Sequence, residues 1–147
     1  MLTIDTGEPD SNPRMDAVRR LLSEVKVANL ATSDSEGAPH LVPISFIHDD
    51  GQLYFTSRMH STKCKNILHN NQVALSIIGT ETVVLIQGTA TIVGPLQTHL
   101  TPKLSRTYLN KYSRERRTSP DSVLVRVQPV KVLAGRLGRR QRRVDFN

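Results

Sequence analysis

The sequence predicts a mainly β (α+β) domain, a barrel or sandwich of six to seven mostly antiparallel strands with about three short helices. Two observations lead there. Between Val27 and Ala134 the apolar residues fall in short runs, most of them alternating at the period-two spacing of strands. Tight-turn signals, above all Asp49-Asp50-Gly51, separate those runs, which suits antiparallel hairpins and not a doubly wound sheet. The length of 147 residues suits one domain with a buried core.

Taken in order, residues 1–12 read as a flexible N-terminal arm with only Leu2 and Ile4 to pack. A helix follows, with Ser11 or Asn12 as N-cap and Pro13 in its first turn. Met15, Val18, Leu22 and Val25 share one of its faces. Val27 to Thr32 is a strand, SDSEGAP its turn, and His40 to His48 the next strand. The Asp-Gly turn tolerates positive φ and returns the chain as Gln52 to Thr56. Ser61 caps a helix over Thr62 to His69, which stops at Asn70-Asn71. Val73 to Ile78 is nearly all apolar, the mark of a strand buried on both faces.

Thr82 to Val93 is the longest strand, with Val84, Ile86, Gly88, Ala90 and Ile92 on one face. Gly94-Pro95 ends it, and Thr101-Pro102 opens a helix on which Leu104, Tyr108 and Tyr112 recur every four residues. Ser122 to Val127 and Val130 to Ala134 read as two further strands separated by Pro129. The expected organisation is an arm over 1–12, a barrel domain over 13–135 and a basic C-terminal tail over 136–147.

Composition excludes several classes. No apolar run approaches the roughly 20 residues that span a bilayer. The polar, acidic N-terminus resembles neither a secretory signal nor a transit peptide, and one cysteine supports no disulfide framework, so a cytoplasmic protein is expected. The net charge of +7 is concentrated late, in KLSRTYLNKYSRERR and in a tail with five arginines against one aspartate. Trp is absent and aromatics are few, which leaves little to stack on bases and argues against nucleic acid as partner. The five histidines lack metal-type spacing, so no metal is expected. Gly-x-Ser-x-Gly, Walker and Rossmann motifs are missing too.

Two stretches carry candidate chemistry. In Ser57-Arg58-Met59-His60-Ser61-Thr62-Lys63 a helix start follows basic and hydroxyl residues. Unpaired N–H groups there favour an anion, and Arg58, Ser61 and Lys63 add the donors a phosphate wants. The same residues also suit a plain cap with solvated charges. The second stretch pairs Pro43-Ile44-Ser45 with Gln87-Gly88-Thr89, small and polar positions in mid-strand that leave room for a flat ligand. Gly88 marks either such an approach or a β-bulge. Cys64, early in a helix after basic residues, is open between a lowered pKa and simple packing.

At these residues the chain resembles the pyridoxamine 5′-phosphate oxidase-like superfamily of flavin- and deazaflavin-dependent proteins. The resemblance runs through Leu30-Ala31-Thr32, Gly37, Pro39, Pro43, Phe46, the Asp-Gly turn, Phe55-Thr56, Ser61, Lys63, Asn66-Ile67, Val73-Ala74 and Gln87-Gly88-Thr89-Ala90, over about residues 15–134. It implies a split β-barrel of the FMN-binding type and a homodimer with cofactor sites at the subunit interface. It implies FMN or the deazaflavin F420, with phosphate held around Arg58, Ser61 and Lys63. The ring would lie beside Val42 to Ser45 and Thr56-Ser57, with Gln87 near it. The implied activity is an oxidoreductase that transfers hydride between the ring and a small organic substrate of unknown identity. Ser45, Gln87 or a backbone N–H would stabilise charge on the ring; the resemblance names no catalytic acid or base.

Segments HLVPISF and STKCKNI are similar to the F420-linked branch without separating it from FMN. Vitamin B6 oxidation is not implied, because the family's terminal substrate segment is replaced here by Gly135-Arg136-Leu137 and an arginine run. The alternative from another class is a non-catalytic split barrel that carries or senses flavin or haem. The arginine tail is open between covering an anionic ligand and standing in solvent.

Overall fold

The computed structural model describes residues 13–114 and 118–146; the expected arm and its caps Ser11 and Asn12 lie outside them. Helix α1 (Pro13–Glu24) buries Met15, Val18 and Leu22, with Val25 packed partly buried beside them. Strands β1 (Val27–Ser33) and β2 (Pro39–Ser45) pair antiparallel. Their turn is held by the Asp34 carboxylate, which accepts from the amides of Glu36 and Ala38 at 2.9 and 2.8 Å. Strands β3 (Ile47–Asp49) and β4 (Gln52–Arg58) form the expected hairpin, with φ of 50° at Asp50 and 74° at Gly51. Helix α2 (Thr62–His69) starts at Ser61, whose hydroxyl accepts from the Cys64 amide at 3.3 Å.

The remaining elements are β5 (Gln72–Ile78), β6 (Thr82–Pro95), α3 (Leu96–His99), α4 (Pro102–Tyr112), β7 (Ser122–Arg136) and β8 (Arg142–Val144). The strand path is β2-β1-β5-β6-β7-β4-β3, every pairing antiparallel, with β8 added to β7. The two ends of that path, β2 and β3, are consecutive in sequence and meet through Phe46 alone. The sheet therefore closes on itself by chain continuity at one corner, which makes the barrel split. Its inside is filled by Leu30, Phe46, Leu53, Ile77, Ile86, Val125 and Val127 among others, and a smaller cluster sits under α3 and α4. Among the described residues no helix is long and apolar enough to cross a membrane.

Several expectations are corrected. The single strand over His40 to His48 divides, because the Phe46 N–H goes to the Tyr112 hydroxyl and not to a strand neighbour. β5 alternates: Val73, Leu75 and Ile77 are buried, while Ala74 and Ser76 stay half-buried on the outer face. α3 forms directly after Pro95, where only a strand end was expected. The two strands around Pro129 are one, since β6 and β7 shift register between Gln87 and Gly88 and leave Val130 as the extra residue. Proline's missing N–H is harmless in such a bulge.

Residues 136–146 do not stand off as a tail. They turn back so that Val144 lies opposite Val132, buried, and Phe146 packs on His48 with ring centroids 5.3 Å apart. Two apolar residues among the arginines drive that return.

Gly88 is needed where the bulge brings β7 against it. A Cβ there would run into the Gln128 carbonyl and stand 3.2 Å from the Pro129 Cα, both of them backbone. Gly88→Ala is expected to cost about 1–3 kcal/mol by overpacking, read from urea unfolding. An unchanged midpoint would mean the bulge yields freely.

Candidate functional site

The Phe46 corner, the face of β4 and the start of α2 enclose a cavity of about 530 Å³. That is within the usual range for small-molecule sites, roughly 300–1,000 Å³. β2 contributes Pro43, Ile44 and Ser45, β4 contributes Tyr54 and Thr56, and α2 contributes Lys63. Tyr108 from α4 and Arg114 just beyond that helix complete the rim. α4 ends in a left-handed residue, Ser113 at φ 53°, which turns the chain before Arg114. Among the described residues the lining carries two cations, Lys63 and Arg114, and no carboxylate. At the α2 start the amides of Thr62 and Lys63 precede the first intrahelical bonds, so the helix offers them to a ligand. The arrangement suits an anionic group at Lys63 with a flat, partly apolar body over Pro43 to Ser45.

Of the nine residues expected at the site, Pro43, Ile44, Ser45, Thr56 and Lys63 are brought together here. Ser61 stands at their edge as the α2 cap. Ser57 does not line the cavity: strand alternation turns it to the buried side of β4, where its hydroxyl lies 2.9 Å from that of Ser61. Arg58 is likewise absent from the lining; its Nε donates to the Asp121 carboxylate at 3.2 Å, across the β4–β7 ladder. The Asp121 carboxyl is held below its ordinary value, by the Ser119 hydroxyl first and by Arg58 as well. Gln87 lies elsewhere, on the outer face between Ala74 and Lys131, in a shallow concavity shared with Pro39, Asn70 and Val130. Cys64 is fully buried and belongs to the core.

Sequence reasoning missed Phe46, Tyr54, Tyr108 and Arg114 as lining residues. Tyr54 was readable, since it shares a strand face with Thr56. The others depend on where α4 docks, which no local pattern encodes.

Beneath the corner sits a second arrangement that the sequence did not flag. The Lys111 ammonium donates to the carbonyls of Leu22 at 2.8 Å and Phe46 at 3.0 Å, and lies 3.6 Å from the Phe46 ring centroid. The Tyr112 hydroxyl accepts from the Phe46 amide at 2.9 Å and lies 2.7 Å from the Lys26 carbonyl. Burial pulls the Lys111 ammonium down from 10.5 to about 8. The folded chain therefore releases this proton more readily than the unfolded chain does. Below pH 8 the burial penalty is present in full, and it is relieved as pH rises from about 8 towards 10.5. Unfolding free energy is expected to rise across that window in the wild type relative to Lys111→Met, measured by urea titration at pH 7.5, 9 and 10. Tyr54 and Tyr112, raised by burial, act with the opposite sign at the upper end and cancel in the comparison.

A sheet path closed through one corner residue, with a cationic helix start beside the seam, defines a split β-barrel. The chain belongs to the pyridoxamine 5′-phosphate oxidase family, which it matches over residues 15–134. An F420 reductase structure is similar at 26% identity and TM-score 0.62, covering 78% of this chain and 94% of that one. The general stress protein 26 of Bacillus anthracis shares 19% identity at TM-score 0.65, over 88% and 98% of the two chains. A haem storage protein of Vibrio cholerae shares 18% at TM-score 0.64, over 80% and 91%. At those last two identities the likeness speaks for the fold alone. No curated protein matches significantly by sequence.

Proposed function

We propose that this chain is a flavin- or deazaflavin-dependent oxidoreductase that moves hydride between FMN or F420 and a small organic substrate. The observation that carries the reading is Lys63 at the open start of α2, facing a cavity floored by Pro43 to Ser45 and walled by Tyr54 and Tyr108. The cofactor supplies the hydride chemistry when bound. The protein's part is to hold and orient. Lys63, the Thr62 and Lys63 amides and the Thr56 hydroxyl would grip the phosphate. Ser45 would offer a hydroxyl along the ring, and the Phe46 corner keeps that side of the site dry. Family membership and the F420 reductase likeness support this class of chemistry. The haem-storage likeness, resting on fold alone, gives the carrier alternative less support.

The proposed working unit is a homodimer. Leu41 on β2 and Val130 in the β7 bulge are exposed, at 68% and 67%. Both belong to the outer sheet face that also carries Gln87. Joining two such faces would cover these side chains and bring Gln87 toward the partner's site. A parallel absorbance and fluorescence titration with FMN and F420 tests the reading, followed by turnover with the reduced cofactor. Binding of neither removes it, and tight binding without turnover in a substrate screen supports the carrier.

A further inference from the structure

We propose that Lys111 is a positioning residue for the cavity: from outside it, the ammonium holds the Phe46 corner in the shape that admits the ligand. The inference rests on the cavity being the cofactor site and adds a regulation of that site by pH. Lys111 is not in the cavity lining. It borders a separate hollow of about 270 Å³ behind the corner, with Leu22, Ser23 and His48.

The corner runs against local preference. His40 to His48 alternates as one continuous strand would, and it breaks at Phe46 because α4 takes that residue's backbone groups. Tyr112 receives the Phe46 N–H, Lys111 donates to the Phe46 carbonyl, and both reach on to α1 and its exit at Leu22 and Lys26. The neighbours of Phe46, Ser45 and Ile47, line the cavity. Releasing the tie lets β2 and β3 straighten toward one strand, which moves the wall.

The charge on Lys111 is costly to the fold. His48 on β3 lies in the field of Lys111, of Asp49 beside it and of Arg19 on α1, while Tyr112, stacked on Tyr108, sits next to the ammonium on its own helix. Burial lowers His48, Asp49 opposes that in part, and Arg19 and Lys111 add to the lowering. Asp49, the one acid among these described residues, is paired with Lys103 at 3.3 Å. The Lys111 ammonium is thus answered by two carbonyls and a ring, where an apolar side chain of equal length would avoid the desolvation altogether. A fold needing only packing here has no use for that proton. A site whose wall must be pulled into a break does.

The test compares wild type with Lys111→Met in the full chain, using FMN and F420 as probes between pH 7 and 9.5. The variant is expected to unfold at no lower temperature than wild type at pH 7. It should bind the cofactor about tenfold more weakly and show faster amide exchange over residues 43–47. Wild-type affinity should fall as pH passes about 8, where the tie loses its charge, and the variant's should not. Equal affinity, or a pH profile that follows wild type, overturns the proposal. If Lys111→Met fails to fold, Lys111→Leu is read in its place by the same criteria. If wild type binds neither cofactor, the oxidoreductase reading fails by itself. Amide exchange then decides the tie, and identical exchange in wild type and variant overturns it.

Discussion

Phe46→Ala is expected to lower the unfolding free energy by about 3–5 kcal/mol, seen as a shifted midpoint in chemical denaturation with the slope unchanged. The ring is 1% exposed and fills the main core. Truncation removes its apolar burial and leaves a cavity whose walls belong to different strands, so collapse around it is incomplete. It also takes away the face over which the Lys111 ammonium lies at 3.6 Å. A loss below 1 kcal/mol would show that the corner is held by its backbone bonds to α4 alone. Phe46→Leu separates the two contributions, keeping most of the volume while discarding the ring quadrupole.

How much of this was legible in the sequence depended on the range of the forces involved. Elements set by local chemistry were readable. The Ser61 cap, the Asp-Gly hairpin and the Leu104, Tyr108, Tyr112 face of α4 all follow from spacings of a few residues. Where distant groups overrode the local pattern, the reading failed. His40 to His48 has the alternation of one strand, and only a tyrosine 66 residues away breaks it. Pro129 is a strand breaker by itself; opposite Gly88 it becomes a bulge within a continuous strand. The arginine run hid Val144 and Phe146, whose burial needs a β7 edge and a His48 ring that composition cannot show.

The site divided in the same way. Lys63 was found because helix starts and basic residues attract anions locally. Ser57 and Arg58 group with it by proximity in sequence, yet alternation along β4 sends Ser57 inward, and Arg58, on the Thr56 face, turns its guanidinium aside to Asp121. Arg114 lay beyond reach, because its place in the cavity lining is set by α4 docking on β3 and not by any motif.

Lys63→Ala is expected to raise the dissociation constant for FMN or F420 at least tenfold, about 1.4 kcal/mol or more, by titration at low ionic strength. Arg58→Ala should change it less than about threefold. Its guanidinium lies outside the lining and pairs with Asp121 in an exposed ion pair, a type that contributes at most about 1 kcal/mol. The double variant should then match Lys63→Ala alone, because only one of the two cations faces the ligand. A double variant much weaker than either single would bring Arg58 back to the phosphate and require it to leave Asp121 on binding. Equal affinity in all four proteins would instead place the anion at Arg114, the other cation among the described lining residues. The flat body of the ligand would then lie along Tyr108 with its orientation reversed. Salt separates these outcomes further, since each charge-assisted contact to phosphate adds to the fall in affinity with ionic strength. Wild type should lose more affinity than Lys63→Ala between low and physiological salt, and Arg58→Ala should track wild type.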